Sequence, residues 1–211
     1  MMPRSVAQLV GFLLFAAAIG FSQELPFTHY TKENEVNPLP SAEIHSMYQD
    51  ELGYLWIGAY SSGLIRYDGH TMELFTTKDG LRDLNVIQVL EDRLGRMWVA
   101  SDAGLVVSTI PMKDEATGGS IRFTDKVGST ELVNLAIVQN RLVLDSRGWL
   151  WIGTRNNGII RYNFIGLDSL VADTISTDLY HDGKNRDVRS MIARGDGSVW
   201  ASLGGDRKSV V

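Results

Sequence analysis

The chain has 211 residues, of which 21 are glycine, 5 are proline and none is cysteine. Its 44% of hydrophobic residues and its many glycines suit a globular all-β protein rich in tight turns. The formal net charge of −5 argues against a nucleic-acid partner and against binding to an anionic membrane surface. Without cysteine, a disulfide bond and a lipid-attached cysteine are both excluded.

The amino terminus has the pattern of a secretory signal peptide. Arg4 precedes an apolar run over residues 9–21, and the small residues Gly20 and Ser22 lie where signal peptidase requires them. We therefore predict a signal-peptide helix in residues 1–22 and a mature, extracytoplasmic chain that begins at Gln23. The run is shorter than the roughly 18–20 residues of a membrane span, and an uncleaved anchor is the alternative.

A spacing of Asp-x-x-Gly-x-x-Trp recurs three times along the rest of the chain, and a fourth, degenerate copy keeps only the Gly and the Trp. The residues are Asp50, Gly53, Trp56; Asp92, Gly95, Trp98; Asp145, Gly148, Trp151; and Gly197, Trp200. Successive tryptophans lie roughly 40 to 55 residues apart, which is close to the length of one propeller blade. The spacing therefore predicts one repeated supersecondary unit.

The first copy shows what this unit contains. Residues 44–48, 54–57, 64–67 and 72–76 are rich in β-branched and aromatic side chains and are separated by Gly, Asp and Ser, as in four short strands. Asp at the first position and Gly at the fourth favour a type I turn between the first two strands. We predict that each tryptophan, on the second strand, packs between neighbouring sheets, and that the aspartates are turn formers rather than calcium ligands.

These motifs carry a resemblance to a known family. Residues 50–58, 62–69, 145–154 and 157–162 are similar to the two-component regulator propeller repeat, and the similarity extends over about residues 25–205. It departs at Val99-Ala100, where Ile-Gly is expected, and at Arg194, which replaces the turn aspartate. The resemblance implies the periplasmic sensor region of a bacterial histidine kinase or hybrid two-component protein.

Counting the copies predicts an all-β, incomplete β-propeller with three four-stranded antiparallel blades plus a partial fourth over residues 23–205. Residues 25–33 resemble the fourth-strand segment 74–79 without its sheet, so the chain is interpreted as an amino-terminal fragment. Residues 206–211 break the repeat and are interpreted as a non-native tail, with a divergent natural terminus as the alternative. The polar stretch 113–120 is predicted to be a hairpin insertion.

No catalytic, metal or cofactor site is predicted. The four histidines, at positions 29, 45, 70 and 181, lack metal-ligand spacing, and the chain has no nucleophile elbow and no phosphate-binding loop. The tripeptide at 194–196 spells an adhesion motif but falls at a hairpin turn, which is the favoured interpretation.

Ligand binding is predicted at the loops between second and third strands, because function concentrates on loops held by a rigid scaffold. The candidate residues are Tyr60, Ser61, Asp102, Arg155, Asn156 and Asn157, with Asp83, Asn85 and Asn134 on the loops that link one blade to the next. Their hydroxyl, amide and aromatic groups suit hydrogen bonding and stacking on a sugar ring.

Three functions follow as hypotheses. The first is a sensor propeller that contributes to ligand sensing or to homodimerisation of a signalling receptor, with carbohydrate as the ligand class by family analogy. The second is a secreted scaffold or adhesin without signalling output. The third is a piece of a carbohydrate-active propeller enzyme, although no paired catalytic carboxylates are recognisable.

Overall fold

The computed structural model describes residues 28–34, 38–117, 119–132, 142–155, 157–175, 187–204 and 208–210. These residues form antiparallel β-strands and two short 3-10 helices, Thr77–Asp79 and Met112–Thr117. Within these ranges, no helix has the length and apolar character that a membrane crossing requires. The predicted signal peptide lies outside the described residues.

Four antiparallel sheets follow one another along the chain, and each has its strands in sequence order. We call them blades 1 to 4. Blade 1 has β1 (Ile44–Gln49), β2 (Leu55–Ala59), β3 (Gly63–Tyr67) and β4 (Met72–Phe75). Blade 2 has β5 (Val86–Glu91), β6 (Met97–Ser101), β7 (Gly104–Ser108) and β8 (Phe123–Thr124), and is followed by a small hairpin of β9 (Lys126–Val127) and β10 (Thr130–Glu131). Blade 3 has β11 (Leu142–Leu144), β12 (Leu150–Gly153), β13 (Ile159–Gly166) and β14 (Ser169–Ile175), and blade 4 has β15 (Val188–Ala193), β16 (Val199–Leu203) and β17 (Lys208–Val210). The predicted all-β class and the four-stranded meander are confirmed.

The first strands of the blades lie side by side, with β1 against β5, β5 against β11, and β11 against β15. Three apolar cores fill the spaces between consecutive blades, and each contains one of the repeated tryptophans. Trp56 belongs to the core between blades 1 and 2, Trp98 to that between blades 2 and 3, and Trp151 to that between blades 3 and 4. The predicted packing of these three side chains between sheets is therefore confirmed.

The repeated aspartate accepts hydrogen bonds both from the backbone of its turn and from the repeated tryptophan. In blade 1 the Asp50 carboxylate accepts the backbone N–H groups of Leu52 and Tyr54 at 3.0 and 2.9 Å through Oδ1. Its Oδ2 accepts the indole Nε1–H of Trp56 at 2.7 Å. The bond repeats from Trp98 to Asp92 at 2.8 Å and from Trp151 to Asp145 at 3.0 Å. Each buried carboxylate thus fixes the turn and satisfies the one polar atom of a buried indole.

An arginine guanidinium lies over each repeated tryptophan, although it comes from different positions of the repeat. Arg66 and Arg161, on third strands, lie 5.6 and 5.3 Å from the rings of Trp56 and Trp151. Blade 2 has Val107 at the corresponding position on the third strand, and there Arg96 supplies the guanidinium at 5.6 Å from Trp98. The repeat therefore keeps the cation–π contact while it changes the residue that makes it.

The prediction that Trp200 occupies an equivalent inter-blade position needs correction. Trp200 pairs with Ile192 as Trp56 pairs with Tyr48, so its register is equivalent. Its side chain is nevertheless 40% exposed, whereas Trp56 is fully buried. No sheet among the described residues packs against this face of blade 4, and Arg194, which stacks at 5.3 Å, replaces the aspartate that would accept the indole N–H.

Four local predictions have different outcomes. The stretch 113–120 is not a hairpin, since residues 112–117 form a 3-10 helix and the hairpin comes later, at β9 and β10. Residues 28–31 form no strand, and Tyr30 instead contacts Tyr67 through its hydroxyl at 2.7 Å. Residues 208–210 pair with β16, while the rest of the predicted tail lies outside the described residues. The 194–196 tripeptide forms the predicted turn, in which Gly197 N–H donates to the Arg194 carbonyl at 3.1 Å.

Candidate functional site

The candidate site lies where second strands end and first strands begin, on one face of blades 1 and 2. We call this surface the loop face and define it by Glu43, His45, Tyr60, Ser61, Asp83, Asn85 and Asp102. The backbone N–H of Tyr60 donates to the Glu43 carbonyl at 3.0 Å, and that of Gly63 donates to the Leu84 carbonyl at 2.8 Å. The β2–β3 loop is therefore tied both to its own blade and to the linker that leads into blade 2.

Asn85 connects the loops of the two blades. Its Oδ1 accepts the backbone N–H of Ser61 at 2.8 Å and the Ser61 hydroxyl at 3.3 Å. Its Nδ2 donates to Asp102 Oδ2 at 3.0 Å, and its own backbone N–H is held by Asp83 Oδ1 at 2.6 Å. One amide side chain thus fixes three loop segments relative to one another, so the surface they form is preorganised.

Ser61 has a strained backbone. Its φ of 54° is the one positive value found at a non-glycine residue within the described ranges. A serine in this conformation is unfavourable unless its surroundings hold it there, and such positions cluster at functional sites. The two bonds from Ser61 to Asn85 supply that restraint.

Tyr60 is the exposed aromatic group of the loop face. The residue is 45% exposed, and its ring meets the His45 imidazole edge to face at a centroid distance of 5.8 Å. His45 Nε2 in turn lies 3.4 Å from Glu43 Oε1. The result is an open aromatic surface beside hydroxyl and carboxylate oxygens.

Five residues predicted from the sequence lie together in this group: Tyr60, Ser61, Asp83, Asn85 and Asp102. Glu43 and His45 also belong to the loop face but are not predicted from the sequence. The pairing of β1 with β2 shifts between Ile44 and Ser46, so His45 is a bulged residue. Because a bulge redirects a side chain, simple alternation along the strand does not locate His45, and no local sequence signal marks the change.

The third-blade candidates lie on a separate loop. Arg155 and Asn157 are exposed there, and the Thr154 hydroxyl closes the loop by donating to the Gly158 carbonyl at 2.7 Å. No described contact joins Arg155 or Asn157 to the loop-face residues of blades 1 and 2. Asn156 and Asn134 lie outside the described residues.

Metal binding was not predicted, and the described residues contain no group of three or more His, Asp or Glu side chains placed to hold an ion. The carboxylates of Glu43, Asp83 and Asp102 are instead spread over the loop face. Each carboxylate is a hydrogen-bond acceptor, so the surface suits a ligand that donates several hydrogen bonds.

Comparison with known proteins agrees with this fold. Residues 38–61, which include β1, the Asp50 turn and β2, match the family described as two component regulator propeller. This segment is therefore similar to one repeat of that family. No curated protein sequence matches the chain.

Several solved structures have a similar fold. The extracellular domains of two hybrid two component systems from B. thetaiotaomicron match with TM-scores of 0.63 and 0.57, at 18% and 20% identity. The matches cover 87% and 83% of this chain but only 26% and 22% of those structures, so the chain spans about a quarter of their length. Virginiamycin B lyase from Staphylococcus aureus matches with a TM-score of 0.53 at 19% identity, over 78% of this chain and 50% of the lyase. At these identities the similarity establishes the propeller fold.

Proposed function

We propose that this chain is part of the extracytoplasmic sensor propeller of a bacterial two-component signalling receptor and that its loop face binds the signal. The observation that carries the proposal is the cross-blade group around Asn85, which presents Tyr60, Ser61 and Asp102 together on a preorganised surface. The regulator propeller repeat and the fold shared with extracellular domains of hybrid two component systems support the signalling role.

Carbohydrate is the ligand class that this chemistry favours. Sugars present hydroxyl groups that donate to carboxylates, and they offer C–H faces that pack on an aromatic ring. Tyr60 supplies the ring, Glu43 and Asp102 supply acceptors, and Ser61 supplies a hydroxyl group. A few fixed polar groups around an apolar surface are the usual composition of a small-molecule site.

The proposed role is recognition and not catalysis. The histidine-kinase core would belong to another part of the parent protein, and residues 1–22 would direct the propeller out of the cytoplasm. Homodimerisation of the parent stays a second prediction for the same propeller. A conformational signal requires the ligand to bind one receptor state better than the other, whichever surface transmits it.

The proposal is tested in cells that carry the full-length parent gene. Tyr60→Ala should abolish or strongly reduce the induction of the receptor's target genes during growth on pooled plant and host oligosaccharides. Tyr30→Ala is the matched control, since Tyr30 is similarly exposed (41%) but contacts Tyr67, at the opposite end of β3 from the loop face. Unchanged induction in the Tyr60→Ala strain, or a parent gene that encodes no membrane segment and no kinase core, would contradict the proposal.

A further inference from the structure

The loop between β12 and β13 of blade 3 contains the one Asn-Gly step of the chain, at Asn157 and Gly158. Asparagine is a chemically labile residue, and its lability is greatest where the next residue leaves the peptide nitrogen unobstructed. We propose that Asn157 is a site of spontaneous deamidation, a covalent modification that replaces its side-chain amide with a carboxylate.

The turn requires a glycine directly after Asn157. Gly158 has a φ of 73°, in the left-handed region that a residue with a Cβ atom rarely adopts. The backbone N–H and the hydroxyl of Thr154 both donate to the Gly158 carbonyl, at 3.0 and 2.7 Å, and so close the loop. The equivalent loops of blades 1 and 2 also end in a positive-φ glycine, Gly63 or Gly104. The fold therefore fixes the glycine, and the residue before it decides whether the step is reactive.

That preceding residue differs among the three blades. It is Ser62 in blade 1 and Ala103 in blade 2, and neither has an amide side chain. In blade 3 it is Asn157, whose amide carbon is separated from the Gly158 nitrogen by the number of bonds that a five-membered ring needs. Blade 3 alone thus combines the glycine of the repeated turn with a side chain that can cyclise onto it.

Both reacting groups are accessible in the folded loop. Asn157 is exposed, and its backbone N–H donates to the Thr154 hydroxyl at 2.9 Å. Its side-chain amide makes no hydrogen bond with any residue that the structure describes, and no described residue accepts the N–H of Gly158. The side chain can therefore rotate toward a peptide nitrogen that carries no Cβ neighbour.

The other asparagines in the described ranges lack this combination. The side-chain amides of Asn34 and Asn85 are held by hydrogen bonds to neighbouring backbone and side-chain groups. Asn85 also precedes the β-branched Val86. Asn163 lies within β13, opposite Val171 of β14, and precedes an aromatic residue. The modification should accordingly be selective for Asn157.

The reaction consumes water and is catalysed by hydroxide. Hydroxide removes the proton from the Gly158 nitrogen, which attacks Cγ of Asn157. The new N–Cγ bond forms as the bond from Cγ to the amide nitrogen breaks, and ammonia leaves with a proton from water, which restores hydroxide. Water then opens the resulting succinimide. Its addition at Cγ gives aspartate, whereas its addition at the backbone carbonyl carbon gives isoaspartate.

Each product changes the loop in a defined way. Both products replace a neutral amide with a negative charge, two residues after the exposed Arg155. Isoaspartate also adds one atom to the main chain between the Asn157 N–H and the Gly158 carbonyl, the two groups that Thr154 holds. The isoaspartate form should therefore lose the closure of the loop, while the aspartate form retains it.

The test is peptide mapping by mass spectrometry of the folded full chain after incubation in a mildly alkaline buffer. We expect the tryptic peptide of residues 156–161 to gain the mass of an amide-to-carboxylate conversion, with fragment ions that place the change at residue 157. Two separable products, aspartate and isoaspartate, are expected. Asn157→Gln should lose both, because its longer side chain would have to close a six-membered ring. Asn163→Gln makes the same substitution within β13 and should leave both products unchanged.

A synthetic peptide of residues 153–161 provides the unfolded reference. Conversion in this peptide without conversion in the folded chain would show that the loop keeps the two groups apart, and would overturn the proposal. Equal conversion at Asn85, Asn157 and Asn163 would overturn it as well, because unfolding and not the loop would then control the reaction. The rate at Asn157 should rise with pH through the alkaline range, and a rate independent of hydroxide would contradict the mechanism.

Discussion

The aspartate of the repeat has a second role, beyond the turn that the sequence predicts. Its spacing to Gly and Trp predicts a turn former, and the turn is present in all three full copies. The bond from the indole N–H to the same carboxylate could not be predicted, because it depends on the fold that returns the second strand beside the turn. Nine-tenths burial of both partners makes this bond a structural element rather than a surface contact.

Trp151→Phe keeps an aromatic ring in the core but removes the indole donor to the buried Asp145 carboxylate. We expect the free energy of unfolding to fall by about 1–3 kcal/mol, the usual cost of depriving a buried acceptor of its partner. Urea denaturation followed by circular dichroism measures the change. Trp200→Phe is the matched control and should change stability by less than about 0.5 kcal/mol, since Trp200 is partly exposed and has no aspartate partner. Equal effects of the two substitutions would refute the role given to the Asp–Trp bond.

Glu91 gives a pH dependence of known sign. Burial raises the pKa of its carboxyl, and the nearby charges of Asp50, Glu51 and Asp92 raise it further. A carboxyl whose pKa is higher in the folded state contributes most to stability at pH values below its unfolded pKa. That stabilisation is lost as the pH rises through the folded pKa. Glu91→Gln still accepts the Glu51 backbone N–H, which Glu91 Oε2 accepts at 3.0 Å.

The melting temperature of Glu91→Gln minus that of the wild type should therefore be more positive at pH 7 than at pH 4. Differential scanning calorimetry at the two pH values measures this difference, and a difference that does not vary with pH would disprove the expectation.

Asp145 has the opposite tendency. Burial acts to raise the pKa of its carboxyl, but hydrogen bonds from the Trp149 backbone and the Trp151 indole outweigh burial and lower the pKa. Acid should accordingly weaken the Asp145 turn.

At the scale of elements, the strands of blade 1 could be predicted closely from alternation and turn residues alone. The predicted 44–48 and 64–67 differ from the observed β1 and β3 by a single residue at one end. The segment from 112 to 131 could not be predicted, because its 3-10 helix and small hairpin are stabilised by contacts with other elements. Arg66 of blade 1, for example, is paired with Glu115 of that helix.

Gln88 links the first strands of two blades in a way that the sequence does not reveal. Its Nε2 donates to the Leu142 carbonyl at 2.7 Å, and its Oε1 accepts the Leu142 N–H at 3.1 Å, so the side-chain amide replaces one step of a β-ladder between β5 and β11. Gln88→Ala should expose both backbone groups of Leu142. Hydrogen exchange at the Leu142 amide should accelerate by about tenfold or more, whereas Gln49→Ala, at an exposed position, should leave it unchanged. Unchanged protection in Gln88→Ala would show that the two strands are held by other contacts.

At the scale of the whole molecule, the repeated motif predicted the propeller architecture, and the structure shows blades with apolar cores between them. The candidate site was only partly predictable. Its loops follow from the topology of a propeller, but the pairing of Ser61 with Asn85 joins residues 24 positions apart in sequence and across two blades. Such a contact depends on how consecutive blades are rotated and offset, which periodicity does not encode.

The ligand proposed for the loop face of blades 1 and 2 is small and rich in hydroxyl groups, and its binding can be measured directly. The most direct measurement is chemical-shift mapping of the isotopically labelled full chain during titration with a library of plant and host oligosaccharides. We expect at least one pool to shift the backbone amide of Ser61 and the side-chain amide of Asn85, and we expect Tyr60→Ala to remove these shifts. Shifts confined to other surfaces, or no shift at the loop face at millimolar concentrations of every pool, would rule out the proposed site.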